Sequence, residues 1–251
     1  MVSSELSALR AAHPLVLCHT NAVAMDFTAN LLLAAGASPI MSYAVQEQAE
    51  LARASQALLL NIGTVHSSQL WAMLRAGRAF HRLHRPIVLD PVGAGVSVYR
   101  RYAVDWLMYN CHPTIVRGNA SEIATLVGMP ASCRGVDSTL APVDVVPAAE
   151  RKAAEWGCVL VISGETDYVT DGSRTQALKG GSPMMTYITA MGCAESALMA
   201  AMASVQPDPF CAACSTMTLM NQVGSLAAKG EESLHSPATF RRAFLDTIFD
   251  F

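Results

Sequence analysis

The chain has 251 residues, of which 52% are apolar and only 15% charged, with a net charge of −3. A mean hydropathy of +0.31 and a pI near 6.1 exclude a disordered chain, which is charged and poor in apolar residues, and leave no basic footprint for a nucleic acid. A chain of this length can bury roughly 70–75% of its unfolded surface, so a large core forms without disulfides or metals.

No linker, charge block or fixed-period repeat divides the sequence, so one domain is expected over residues 1–251. No apolar run reaches the roughly 18 residues of a membrane span. The longest, Ala194–Val205, is broken by Glu195. The opening MVSSELSALR lacks the charged-then-apolar order of a signal peptide, and a cytoplasmic location is expected. The seven cysteines, an odd number scattered through apolar segments, read as reduced thiols. Cys18-His19, Cys111-His112 and the single Cys211-x-x-Cys214 lack the spacing of a zinc site.

The N-terminal third reads as helical, with Asp26–Ala35 stopped by Gly36. Ala57–Asn61 (ALLLN) is a short apolar run of the kind buried on both faces of a sheet. A helix follows at Ser67–His84, with Leu70, Trp71 and Leu74 at helical spacing. Pro86–Asp90 (PIVLD) and Thr114–Val116 (TIV) are the next strands. Ala148–Trp156 is a helix before Gly157, and Cys158–Ile162 (CVLVI) a further strand. Two short β runs flank Asp171-Gly172, which signals a hairpin at a sheet edge. Helices close the chain at Cys193–Ser204, Pro209–Lys229 and Ala238–Phe249. Strands alternating with helices imply an α/β fold: a mostly parallel central sheet with helices on both faces and an edge hairpin.

Ligands of such sheets bind beyond the carboxyl ends of the strands. ALLLN leads into Asn61-Ile62-Gly63-Thr64, and PIVLD into Asp90-Pro91-Val92-Gly93-Ala94-Gly95. TIV leads into Arg117-Gly118-Asn119-Ala120-Ser121-Glu122, and CVLVI into Ser163-Gly164-Glu165. A ligand site is therefore expected at this edge. Asp90 and Glu122 suit Mg2+, which pairs one or two carboxylates with phosphate oxygens. Arg117 suits a bidentate phosphate contact. Plainer readings stand beside these. Asn119 and Glu122 also spell a capping box, Asp90 is a turn residue before Pro91, and Arg117 is a surface ion pair.

Thr189-Ala190-Met191-Gly192-Cys193 enters an apolar helix. Backbone N–H groups at a helix N-terminus form an anion site, and a cysteine there can have a lowered pKa. The alternative is a buried cysteine in a tight turn. His19 and Asn21, in Cys18-His19-Thr20-Asn21, and Met41, after Gly36-Ala37-Ser38-Pro39-Ile40, form a third candidate group. A lone His or Met is more often core than ligand contact.

Together the stretches HTNAVAMDFTANLLLAAGASPIM, LNIGT, VLDPVGAG, IVRGNASEI, RGVDS and ISGETDYVTDG resemble the hydroxyethylthiazole kinase family of thiamine salvage. They run in the expected order from about Leu15 to Gly172, with a weaker match to the C-terminus. The resemblance implies a ribokinase-like fold and transfer of the ATP γ-phosphoryl group to 4-methyl-5-(2-hydroxyethyl)thiazole. It also implies a trimer with thiazole pockets between subunits. By the same resemblance, Met41 and Asn21 line the thiazole pocket, Arg117 and Ser163 contact ATP, and Asp90 and Glu122 serve Mg2+ and the phosphates. Ala190 takes a substrate-contacting position and Cys193 faces the hydroxyl, as a weak base or positioning group.

The chain departs from the family pattern at Ala190-Met191, where Gly-Thr is usual, and Met191 is expected to add bulk near the phosphates. It departs again at Asp26, at Glu195 in a normally apolar helix start, and at Ser236-Pro237-Ala238-Thr239-Phe240. Two other readings stay open: a kinase for a related hydroxymethyl heterocycle such as a pyrimidine, and a thiazole- or nucleotide-binding protein with little catalysis.

Overall fold

The structure, a computed structural model, describes residues 2–129, 140–229 and 236–251. The RGVDS stretch, Arg134–Ser138, lies outside the described residues. Eight strands form one sheet: β1 (Leu15–His19), β2 (Ser38–Ile40), β3 (Ala57–Asn61), β4 (Ile87–Asp90), β5 (Ile115–Asn119), β6 (Val159–Ser163), β7 (Thr166–Thr170) and β8 (Thr175–Lys179). Their order is β2-β1-β3-β4-β5-β6-β7-β8. The first six run parallel, and β7 and β8 add antiparallel at one edge.

Strand side chains alternate between faces, and here both faces are apolar. Val16, Leu59, Val88, Ile115 and Val161 point into one core. Their neighbours Leu17, Leu58, Leu60, Leu89, Val116 and Leu160 point into the other. That is why these strands read as continuous Val/Leu/Ile runs rather than alternating ones.

The first core is closed by α1 (Val2–Ala12), α2 (Met25–Ala35), α8 (Met191–Ala203), α9 (Pro209–Ala227) and α10 (Pro237–Asp250). The second is closed by α3 (Gln48–Ala54), α4 (Ser67–Arg82), α5 (Val98–Cys111), α6 (Ala120–Leu126) and α7 (Pro142–Trp156). Among the described residues, no helix is long and apolar enough to cross a membrane. The six described cysteines are free thiols, as their scatter predicted.

The predicted strands at ALLLN, PIVLD, TIV and CVLVI are β3, β4, β5 and β6. Gly36 and Gly157 end α2 and α7 in left-handed backbone, with φ of 104° and 64°, as expected of glycines past a helix end. The N-terminal third is less helical than expected, because β1 and β2 interleave with its helices. α7 begins at Pro142, not Ala148, and carries Pro147 inside it. The sheet edge holds two reversals: β6 turns into β7 at Gly164-Glu165, and β7 into β8 through Asp171–Arg174.

α4 and α5 pack closely at Gly77, where a Cβ would overlap the Sγ and lie 2.7 Å from the Cβ of buried Cys111. Overpacking of this kind costs about 1–3 kcal/mol. Gly77→Ala should lower the unfolding free energy by that amount, read as a lower urea midpoint, and a Cys111→Ala background should recover only the part due to the sulfur, because the Cβ at residue 111 remains.

Candidate active site

The chain runs from β1 outward to β2, then returns to β3 on the other side of β1. In open α/β sheets the ligand crevice opens at such a reversal, at the carboxyl ends of the strands. Asn21 follows β1 and Asn61 ends β3, and the two meet across this point, with Asn21 Nδ2 donating to Asn61 Oδ1 (2.9 Å). Asn61 Nδ2 donates in turn to Asp90 Oδ2 (2.8 Å) at the end of β4. Ser196 Oγ, from α8, donates to the same oxygen (2.9 Å). All four residues are buried. The result is a hydrogen-bonded row that crosses three strand ends and ties α8 to the sheet. Burial pushes the Asp90 carboxyl up to about 7; Arg117 opposes that shift and Glu122 adds to it.

Glu122 adopts the capping-box arrangement that its spacing allowed. Its Oε2 accepts from Asn119 N (2.9 Å), and Asn119 Oδ1 accepts from Glu122 N (2.9 Å). The other carboxylate oxygen, Oε1, accepts from Gly93 N (2.9 Å), pinning the loop after β4 to the start of α6. Arg100, which sequence reasoning passed over, ties the same loop to its neighbour. Its guanidinium donates to Ile62 O (3.1 Å), Gly63 O (2.6 Å) and Val92 O (2.7 Å).

Arg117 is not a surface ion pair. Its Nη2 meets Glu195 Oε2 at 2.7 Å, with only 11% and 6% of the two side chains exposed. Burial pulls the Arg117 pKa down, but the carboxylates of Glu195, Asp90, Glu122 and Asp167 outweigh it and raise the pKa. The guanidinium rests on the first turn of α8, where a Cβ on Gly192 would come within 2.5 Å of Nη1. A side chain at this position would displace the guanidinium.

α8 has no side-chain cap; Ala190 stands at the N-cap with φ 70°. The turn therefore demands the left-handed backbone that glycine takes freely and alanine resists. Met191 does not crowd the phosphate side of this turn, because its side chain is buried in the core beneath α8. Cys193 accepts a hydrogen bond from Asn21 Nδ2 (3.2 Å). Its thiol departs from the expectation of a lowered pKa. Burial, with Asp90's charge behind it, pushes it up to about 11 against the opposing effects of Asn61, Asn21 and Arg117. Desolvation dominates here, so Cys193 is a neutral thiol at pH 7.

Ser163 lies level with Asn119 across β5 and β6 and donates to Gly118 O (3.3 Å). Met41 follows β2, one step beyond the paired Leu17 and Ile40, and packs half-buried on the α8-side core. His19 is buried, with Nε2 against Gln48 Oε1 (2.8 Å). Burial pushes its pKa down to about 4, so it is a neutral core histidine. No group of three or more His, Cys, Asp or Glu among the described residues could hold a metal ion by itself.

With this geometry in hand, a sequence model of the Hydroxyethylthiazole kinase family matches residues 6–251. The chain belongs to the hydroxyethylthiazole kinase family. It is 42% identical to a hydroxyethylthiazole kinase of Nitratidesulfovibrio vulgaris over 247 residues, covering 98% of this chain and 91% of that one. It is 44% identical to one from Leptothrix cholodnii over 227 residues, or 90% and 82% of the two chains. The solved hydroxyethylthiazole kinase protein of Pyrococcus horikoshii superposes with a TM-score of 0.88 at 32% identity, covering 100% of this chain and 93% of that chain. A ribokinase-like superfamily protein of Enterococcus faecalis, 12% identical with a TM-score of 0.69 over 97% and 88% of the chains, shares the fold.

Two residues at the start of α8, Ala190 and Cys193, give measurable outcomes. A left-handed alanine costs about 1–2 kcal/mol, part of which glycine returns through its looser unfolded chain. Ala190→Gly should therefore stabilise the protein by about 0.5–1 kcal/mol, read as a higher urea midpoint. The raised thiol makes the second outcome kinetic, since only thiolate is alkylated. Carbamidomethylation of the Cys193 peptide, followed by mass spectrometry, should be slower at neutral pH than for an unperturbed thiol. Its rate should still climb above about pH 9. Fast, pH-independent labelling at neutral pH would mean a depressed pKa after all.

Proposed function

We propose that this chain transfers the γ-phosphoryl group of ATP to the hydroxyl of 4-methyl-5-(2-hydroxyethyl)thiazole, in thiamine salvage. The family match across residues 6–251 carries the reading. The crevice residues support it. Phosphoryl transfer asks the protein mainly for positioning and charge neutralisation. A permanently charged guanidinium beside the uncapped first turn of α8 offers both to a phosphate. In this reading Arg117 and Ser163 face the nucleotide, Met41 and Asn21 line the thiazole pocket, and Ala190 contacts substrate.

Cys193 is assigned to positioning the hydroxyl and not to removing its proton, because a thiol held near 11 is protonated at working pH. The hydrogen bond from Asn21 fixes its sulfur. A loose transition state makes little demand on base strength.

Asp90 and Glu122 are the proposed Mg2+ residues. Two carboxylates fit an ion that arrives bound to phosphates, the usual manner of Mg2+. Bound there, Mg2+ neutralises charge on the transferred group. Glu122 already accepts two backbone N–H bonds, so Asp90 is the principal ligand and Glu122 contributes mainly charge. We also propose one kinase domain, a cytoplasmic location and a homotrimer with sites between subunits. Exposed Trp71, Tyr102 and Tyr109 on α4 and α5 support burial against a further copy.

The test is ADP release coupled to a reporter enzyme. The thiazole alcohol should be turned over with kcat/KM at least tenfold above a hydroxymethylpyrimidine. Arg117→Ala should lower kcat/KM for ATP by at least tenfold, about 1.4 kcal/mol. Preference for the pyrimidine would reassign the substrate. Thiazole binding by calorimetry without ADP release would make the chain a binding protein.

A further inference from the structure

Glu195, paired with Arg117, is a crevice residue that the phosphoryl-transfer reading leaves without a role. The pair is a buried contact of 2.7 Å, set where a phosphate would approach the start of α8. Arginine carries five N–H donors in a rigid fork. One Nη2 donor is spent on Glu195, while Nε is buried with no hydrogen-bond partner. The guanidinium is thus partly satisfied and held by a neighbouring carboxylate.

We propose that Glu195 is a positioning residue that sets nucleotide affinity, holding Arg117 against the first turn of α8 and competing with the nucleotide phosphates for its donors. The proposal rests on the reading of Arg117 as a nucleotide residue. The competition follows from charge. A di- or triphosphate entering beside Glu195 meets a carboxylate as well as a guanidinium, and like charges at this depth repel strongly. The titratable groups facing Arg117 are Asp90 from β4, Glu122 from α6, Asp167 from β7, and Cys193 and Glu195 from α8. Glu195 itself faces Arg117 and Asp167.

Asp167 is held in place by Gly164 N (3.0 Å) and Asn221 Nδ2 (2.9 Å), so Glu195 is the carboxylate that contacts the guanidinium directly. Burial pushes Glu195 up to about 7; Arg117 opposes the shift and Asp167 adds to it. Below that pH it takes up a proton and grips the guanidinium less tightly. The competition therefore weakens as pH falls.

The experiment is titration calorimetry of the whole enzyme with ADP and Mg2+. It compares wild type, Glu195→Gln, Arg117→Ala and the double variant at about pH 8 and about pH 6. Glutamine keeps the shape and the acceptor oxygen but loses the charge. At pH 8, Glu195→Gln should bind ADP at least fivefold more tightly than wild type. The ratio of the two Kd values should shrink toward one at pH 6, a comparison in which titration of ADP itself cancels. The gain should shrink markedly when Arg117 is alanine.

Equal or weaker binding by Glu195→Gln at pH 8 overturns the proposal, as does a gain that persists undiminished without Arg117. If Arg117→Ala leaves ADP affinity unchanged, the nucleotide role of Arg117 falls first and the proposal with it. The double variant removes both members of the direct ion pair, so its comparison with Glu195→Gln serves if Arg117→Ala alone does not fold.

Discussion

Arg117 keeps its positive charge out of water, a placement that costs several kcal/mol unless charges and hydrogen bonds replace the lost hydration. Glu195, Asp90, Glu122 and Asp167 supply the charge, from α8, β4, α6 and β7. The arrangement fixes much around it. Gly192 has no side chain because the guanidinium occupies that space. Four carboxylates against one guanidinium leave a local excess of negative charge, and with burial this pushes Asp90 and Glu195 toward their neutral forms. An incoming cation relieves that excess. Under the proposed function, a nucleotide arriving with Mg2+ would bring positive charge of that kind.

The strand ends made the chemistry partly legible in the sequence. β3, β4 and β6 are short apolar runs that stop abruptly at Asn61, Asp90 and Ser163, and a buried strand can stop that way only at an edge. β1 was not separated from the helical stretch around it. A five-residue run, four of them buried, has no period to distinguish it from a buried helix turn. α5 escaped for the opposite reason: Val98, Tyr99, Tyr102 and Tyr109 are exposed on it, so its apolar residues trace no single stripe.

Within the crevice, Asp90, Arg117 and Glu122 could be placed from strand ends alone. The bond between Asn21 and Asn61 could not, because it depends on β3 returning beside β1. Ser196 gave no signal, being one small polar residue inside an apolar helix. Glu195 was visible as a charge in that helix, but only the fold brings Arg117 to it. The Cys193 thiol illustrates the same limit in energetic terms. Its position at a helix start is local and favours thiolate. Burial and the nearby Asp90 are tertiary, and they win.

Arg100 joins the loop after β3 to the loop after β4 through three carbonyl oxygens. Loops that flank a ligand commonly lose freedom when it binds, and that loss weakens affinity. Here the two segments are already one body before any ligand arrives. Their entropy is given up once, as the chain folds, and not again with each turnover. A crevice floor assembled in advance leaves any adaptation to the other wall, the first turn of α8 and the Arg117–Glu195 pair against it.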